Sequence, residues 1–284
     1  MRNFLNPREG GKWRRVVVQA IRLSILYGVY GVLMVSCETQ LLFPAAGRAV
    51  SYQRDALPAG IVSKVFTTSG GATGEAMLVR RSVDVATTRL LIMAHGNGEL
   101  IDDYVAEARG LARRGIDVLL IEYPGYGIGE GTPTTEGMRE VSFQAFDWAM
   151  DEVQPTPPER VVGFGFSLGT GMLCHLAKHR RVDGLILCAP FSELHLLAKR
   201  AAIPPFLMRN RFDNVSALAG FEGPVKILHG ASDPLIPAKY SKILAASLDD
   251  VDRVLIDGAG HNDLFLTPPA SETAEQWLKD LLGR

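Results

Sequence analysis

Arg160-Val161-Val162-Gly163-Phe164-Gly165-Phe166-Ser167-Leu168-Gly169 changes character at its serine. Up to Phe166 it is rich in β-branched and aromatic residues, the composition of a buried strand. From Leu168 to His179 the apolar residues fall at helical spacing. Gly165-Phe166-Ser167-Leu168-Gly169 therefore lies at a strand-to-helix turn, and it fits the GxSxG pattern of a nucleophile elbow. Such a turn strains the serine backbone, and side chains in place of the flanking glycines would collide. It also lifts the hydroxyl of Ser167 above the sheet edge. A glycine-rich strand end with an inert serine is the plainer alternative, and the strand before and helix after speak against it.

Working outward, short β-branched runs alternate with amphipathic stretches from about Val62 onward, the pattern of stacked βαβ units and a mostly parallel sheet. The expected strands are Val62 to Thr67, Ala76 to Arg80, Leu90 to Ala94, Val118 to Glu122, Val161 to Phe166, Gly184 to Cys188, Val225 to His229 and Arg253 to Ile256. The first two, with Ser69, Gly70, Gly71 and Gly74 read as the turn between them, form an antiparallel hairpin leading into the sheet. Helices are expected over Asp102 to Arg114, ending at Gly115, and over Glu136 to Val153, ending before Pro155, Pro157 and Pro158. Leu168 to His179, Ala238 to Ser247 and Ser271 to Leu282 complete the set. The fold class is α/β.

A serine hydroxyl is a poor nucleophile at neutral pH and needs a base held in the right tautomer. Of six histidines, His261 lies in Gly258-Ala259-Gly260-His261-Asn262-Asp263, directly after the last expected strand, where a side chain reaches over the sheet's carboxyl edge. His175 and His179 fall on a helix, His195 in a segment of undefined structure, and His229 reads as structural at a strand end. Elbow enzymes run serine, acid, histidine in chain order. Asp233, in His229-Gly230-Ala231-Ser232-Asp233-Pro234, fits as the orienting acid, although a turn aspartate before proline is common enough by itself. An oxyanion needs backbone N–H donors. Leu168, after the nucleophile, is one candidate, and Asn97, in His95-Gly96-Asn97-Gly98-Glu99 after the third strand, is the other. A phosphate cradle is the rival reading of that loop, but the GxxxxGK[ST] lysine and the GxGxxG spacing are both missing.

With these residues set out, the chain resembles the alpha/beta-hydrolase superfamily over roughly Val62 to Leu282. Within it, the sequence is most similar to membrane-associated serine hydrolases related to lysophospholipid lipases and protein depalmitoylases. The closer likeness is carried by His95-Gly96-Asn97-Gly98-Glu99, Tyr123-Pro124-Gly125-Tyr126-Gly127, the elbow, and His229-Gly230-Ala231-Ser232-Asp233, together with Gln40-Leu41-Leu42-Phe43-Pro44 after a basic and apolar leader. The resemblance implies a mostly parallel eight-stranded sheet with helices on both faces and a short cap, here Pro190 to Pro224. That segment holds Ile203-Pro204-Pro205-Phe206-Leu207-Met208 between Lys199, Arg200, Arg209 and Arg211, an apolar lip with basic neighbours suited to an acyl chain. An aminopeptidase would want carboxylates there, and only Glu193, Asp213 and Glu222 are offered. Cleavage of an ester or thioester of a small-molecule or lipid acyl substrate is thus expected ahead of peptide hydrolysis. A non-catalytic binding module would not need the full set of Ser167, Asp233 and His261, and an aspartate-nucleophile enzyme would not carry serine at the elbow.

Composition is consistent with this. The 284 residues are 47% hydrophobic and 21% charged with a formal net charge of −1, enough for one sizeable core and without the basic footprint of a nucleic-acid binder. Cys37, Cys174 and Cys188 form no CxxC pair, so neither a disulfide framework nor a metal site is expected, and no cofactor is called for. Cys174 and Cys188 read as small buried apolar residues. Residues 1–38 stand apart from a catalytic domain over residues 39–284. Arg2, Arg8, Lys12, Arg14 and Arg15 precede an apolar run from Val16 to Val35, interrupted by Gln19, Arg22 and Ser24. Three readings stay open: an uncleaved membrane anchor, a signal whose core is Ile25 to Val35 and whose Cys37 becomes a lipidated terminus, and a buried core helix. For the anchor, the basic flank stays cytoplasmic and the catalytic domain lies on the non-cytoplasmic side.

Overall fold

The computed structural model of the protein describes residues 7–82, 88–153, 157–201 and 204–283. Arg2, Pro155 and Ile203 lie outside these, as do the side chains of Arg8, Lys12, Lys199, Arg200 and Pro205. Eight strands make one sheet: β1 (Ile61–Thr67), β2 (Thr73–Val79), β3 (Arg89–Ala94), β4 (Asp117–Ile121), β5 (Arg160–Phe166), β6 (Gly184–Cys188), β7 (Val225–Gly230) and β8 (Val251–Ile256). Their spatial order is β1-β2-β4-β3-β5-β6-β7-β8. The β1–β2 and β2–β4 pairs are antiparallel, and every pair from β4–β3 onward is parallel. The helices are α1 (Pro7–Ser36), α2 (Glu38–Leu42), α3 (Val105–Ala112), α4 (Thr135–Glu152), α5 (Leu168–His179), α6 (Asn214–Ala217), α7 (Lys239–Ala245) and α8 (Pro268–Leu282).

Strand residues alternate between faces, and here both faces are covered, so the central strands read as unbroken apolar runs. Leu90, Ile92 and Ala94 of β3 pack with Leu119 and Ile121 of β4 against Met138 and Val141 of α4 and Leu173 of α5. Leu91 and Met93 point the other way, with Val118 and Leu120, toward Val105 and Ala108 of α3 and Leu282 of α8. Cys174 and Cys188 are fully buried free thiols.

Several boundaries differ from the sequence expectation, each for a local reason. Gly74 is not in the hairpin turn but inside β2, opposite Phe66. A Cβ there would meet the Glu122 carbonyl oxygen at 2.9 Å and the Val141 methyls at 3.1 Å, so the glycine admits a close approach of β4 and α4. The helix expected from Asp102 begins as a 3-10 turn, Ile101–Tyr104, before α3. Asp102 faces inward there, accepting from the Tyr52 N–H at 2.8 Å and pairing with Arg54 Nη2 at 2.6 Å. α8 starts at Pro268 rather than Ser271, because prolines are tolerated in a first helical turn whose N–H groups have no partner anyway.

The buried-helix reading of the leader is not realised. Trp13–Ser36 is long and apolar enough to cross a membrane by length and composition, and hardly any of its apolar surface is covered by the rest of the chain. Its end is nevertheless fixed. The helical path continues through Cys37, whose carbonyl accepts from Leu41 N–H, and Phe43 then enters the core edge-on to Tyr126.

Candidate active site

At the carboxyl end of β5 the chain turns into α5 through Ser167, held at φ +51° and ψ −114°. That left-handed conformation costs a non-glycine residue of the order of 1–3 kcal/mol. The glycines of the elbow make it possible by removing atoms. A Cβ on Gly165 would meet the carbonyl of Gly169 at 3.1 Å, and one on Gly169 would meet the Ala94 carbonyl oxygen at 2.2 Å. The second glycine is thus required by the neighbouring strand: β3 ends directly against the first turn of α5.

The structure brings together the three residues expected from sequence. Ser167 Oγ lies 2.9 Å from His261 Nε2, and His261 Nδ1 lies 2.6 Å from Asp233 Oδ2. All three are buried. With Nδ1–H donating to the carboxylate, Nε2 is left to accept the serine proton. Asp233 is held on its other side as well, Oδ1 accepting from the N–H groups of Leu235 and Ile236 at 2.8 Å each. Burial pushes its pKa up, but nearby His229 and the hydrogen bond from His261 outweigh this, leaving the carboxyl far below the usual carboxylate range. An ionised acid beside the histidine is what an orienting role requires.

His229 has more to do than its strand-end position indicated. It is fully buried, with Nε2 donating to the Ile236 carbonyl at 2.7 Å and lying 3.3 Å from Asp233 Oδ2. It braces the turn that presents Asp233. Its spacing of four residues from Asp233 is the only trace in the sequence.

The loop after β3 is clamped from below. His95 Nδ1 donates to the Gly96 carbonyl at 2.7 Å, and Nε2 meets Glu122 Oε1 at 2.8 Å. Glu122 is fully buried and also accepts from the N–H groups of Tyr123 and Ile101 at 3.0 Å. Burial disfavours a charged imidazole, yet the neighbouring Glu122 prevails and raises the His95 pKa. Tyr123 OH donates to the His95 carbonyl and Tyr126 OH to that of Asn97, the latter at 2.8 Å. The Tyr-Pro-Gly-Tyr-Gly motif is therefore the support of this loop. Glu99 accepts from Gly96 N–H at 2.6 Å, and Asn97 Nδ2 donates to the Leu42 carbonyl at 3.1 Å. What stays available is the Asn97 N–H, which makes no hydrogen bond among the described residues. The N–H of Leu168, first in α5, is among those a helix start leaves without an intrahelical partner.

The cap between β6 and β7 is short: 3-10 turns at Leu194–Ala201 and Pro205–Leu207, then α6. Two of its three carboxylates are engaged, Glu193 with His195 at 3.3 Å and Asp213 as the N-cap of α6, while Glu222 is exposed. A residue from the leader closes it. The buried Glu38 accepts from the N–H groups of Arg209 at 3.1 Å and Asn210 at 2.8 Å and from Asn210 Nδ2 at 3.2 Å.

Known proteins agree with this architecture. The family model for the alpha/beta hydrolase fold matches residues 89–217. The chain is 29% identical over 258 residues to the uncharacterized protein Rv2307c of Mycobacterium tuberculosis, covering 88% of this chain and 89% of that one. It is 28% identical over 224 residues to alpha/beta hydrolase domain-containing protein 17B of Homo sapiens, covering 76% and 74%. Among solved structures, the Pyrococcus furiosus esterase Pf2001 superposes with a TM-score of 0.62 at 17% identity, over 82% of this chain and 96% of that one. The strand order, the strained serine after β5 and these likenesses give the chain the alpha/beta hydrolase fold.

Proposed function

We propose that the protein is a serine hydrolase that cleaves carboxylic ester or thioester bonds of acyl substrates through an acyl-enzyme. The observation that carries this is the continuous hydrogen-bonded line Ser167 Oγ, His261, Asp233, at 2.9 and 2.6 Å, on a backbone strained at the serine. His261 Nε2 takes the Ser167 proton as Oγ bonds to the acyl carbon, and the imidazolium is stabilised by Asp233. The oxyanion is held by the N–H groups of Asn97 and Leu168. Nε2–H then protonates the leaving oxygen or sulfur, and water repeats the sequence in reverse to free the acid. Ester chemistry is favoured over aminopeptidase chemistry because Glu193 and Asp213 are committed to partners within the cap and offer nothing to a free amine. α1 serves as an uncleaved membrane anchor with its basic end in the cytoplasm and the catalytic domain on the opposite side.

The test is labelling by a fluorophosphonate probe and hydrolysis of p-nitrophenyl esters. Ser167→Ala is expected to lose both while unfolding at the wild-type temperature or above, since relaxing the serine hydroxyl's demands leaves the fold intact. Undiminished hydrolysis by the purified variant would refute the assignment.

A further inference from the structure

Outside α1, large apolar side chains are exposed on several segments that frame the site. Leu41 of α2 is 57% exposed, Phe206 of the cap 75%, Leu235 55% and Leu266 82%. Leu41 precedes Leu42, whose carbonyl holds Asn97, and Leu235 donates its own N–H to Asp233. Leu266 follows His261 by five residues, and the cap leaves from the end of β6. Scattered exposed apolar residues are ordinary. Here four segments far apart in the chain, all beside the carboxyl ends of the strands, each expose one.

The position of α1 identifies what the surface contacts. Its buried Gly31 lies under the cap, since a Cβ there would meet Leu207 Cδ1 at 3.7 Å. Gly31 precedes the helix end by five residues, about 8 Å along the axis at 1.5 Å per residue. The apolar span of 24 residues is about 36 Å long against a hydrocarbon core of about 30 Å. Centred in a bilayer, it leaves about 3 Å beyond the hydrocarbon at each end, so the cap at Leu207 sits about 5 Å inside that boundary. Glu38 removes the slack of a tether, because its hydrogen bonds to Arg209 and Asn210 tie the end of α1 to the cap.

We propose that the carboxyl-edge surface around Phe206 and Leu266 is seated in the bilayer interface, so that the site opens onto the membrane and takes its acyl substrate from the lipid phase. Exposed Arg209, beside the lip, lies at the level of the headgroups. The inference rests on the anchor and hydrolase readings above and adds to them the orientation of the site and the route of the substrate.

The test uses the full chain reconstituted in phosphatidylcholine vesicles. With Cys37 changed to serine, nitroxide labels are placed at Phe206→Cys and Leu266→Cys, with Ile243→Cys on α7 as the control. The first two are expected to relax with dissolved oxygen and to be shielded from an aqueous nickel chelate, and the control to show the reverse. Equal access of nickel to all three overturns the proposal. In a second arm, Phe206→Asp combined with Leu266→Asp is expected to lower the rate on a long-chain ester embedded in the vesicles by about tenfold or more, as expected from the loss of two apolar contacts with lipid. Its rate on a soluble short-chain ester is expected to stay at the wild-type value. Equal rates of variant and wild type on the embedded ester overturn the proposal. If wild type hydrolyses neither ester, the hydrolase reading fails, while the label positions still decide where the surface lies.

Discussion

Asp233 receives hydrogen bonds on both oxygens, two from the backbone and one from His261, with His229 against the same oxygen as His261. Replacing it by asparagine keeps the shape and removes the charge that selects the histidine tautomer. Asp233→Asn is expected to lower kcat by about a thousandfold or more with little change in KM. A variant as active as wild type would assign the orienting role to another carboxylate. The buried pair at His95 and Glu122 leads to a stability prediction of definite sign. The His95 pKa is raised on folding, so the pair's contribution is complete below the ordinary imidazole value of about 6.5 and is lost as pH climbs through the raised value. Asp233 works in the opposite direction: its pKa is depressed, so its contribution is present above about 3.9 and is lost as pH falls through the lower folded value. Urea unfolding across pH is expected to show wild type losing more stability than His95→Gln as pH rises above about 6.5. Parallel curves for the two proteins would mean that the His95 pKa is not raised on folding.

At the scale of elements, glycines in two helices have opposite meanings. Gly169 in α5 faces the end of β3, where an added methyl has only backbone to displace. Gly110 in α3 has ordinary space, with Arg113 Nη2 the nearest atom at 3.9 Å from a built Cβ. Overpacking costs about 1–3 kcal/mol, whereas glycine in an unhindered helix interior is worth up to about 1 kcal/mol less than alanine. Gly169→Ala is therefore expected to lower Tm by about 5 °C and Gly110→Ala to raise it by about 2 °C. Calorimetry that finds the same sign for both would contradict the close approach of α5 to β3. Such an approach is invisible in one sequence, because the motif shows where glycine stands and not which strand lies against it. The boundaries of β2 and α8 shifted for the same kind of reason. Gly74 reads as a turn residue until β4 and α4 are placed beside it, and Pro268 reads as a breaker until it opens a helix.

For the whole molecule, the amino-terminal helices and the α/β sheet domain are joined by hydrogen bonds. α1 leaves its apolar surface bare, yet its end is joined to the cap by Glu38 and to the loop of Asn97 by Leu42. Fractionation followed by mass spectrometry of the mature amino terminus is expected to find the chain in membranes with an intact Met1 or Arg2 start. A diacylglyceryl group on Cys37 would replace the anchor by a lipidated signal, and full-length chain found only in the soluble fraction without detergent would contradict both.

The sequence by itself determined the α/β class and singled out the three residues that the fold joins in one hydrogen-bonded line, Ser167, His261 and Asp233. Periodicity marks the strands, and the serine, aspartate and histidine each sit in a glycine-bearing turn at a strand end, where local residue type decides the geometry. It also marked Asn97 and Leu168, whose position in the loop and at the helix start follows from chain order. Only the tertiary structure decided how these are supported. His229, Glu122 and Glu38 are polar residues whose partners lie on other segments, many of them backbone groups that carry no sequence signature. Burial made those partners necessary, since a polar group removed from water must find its hydrogen bonds inside the fold, and which groups come within reach is set by how the strands and helices pack.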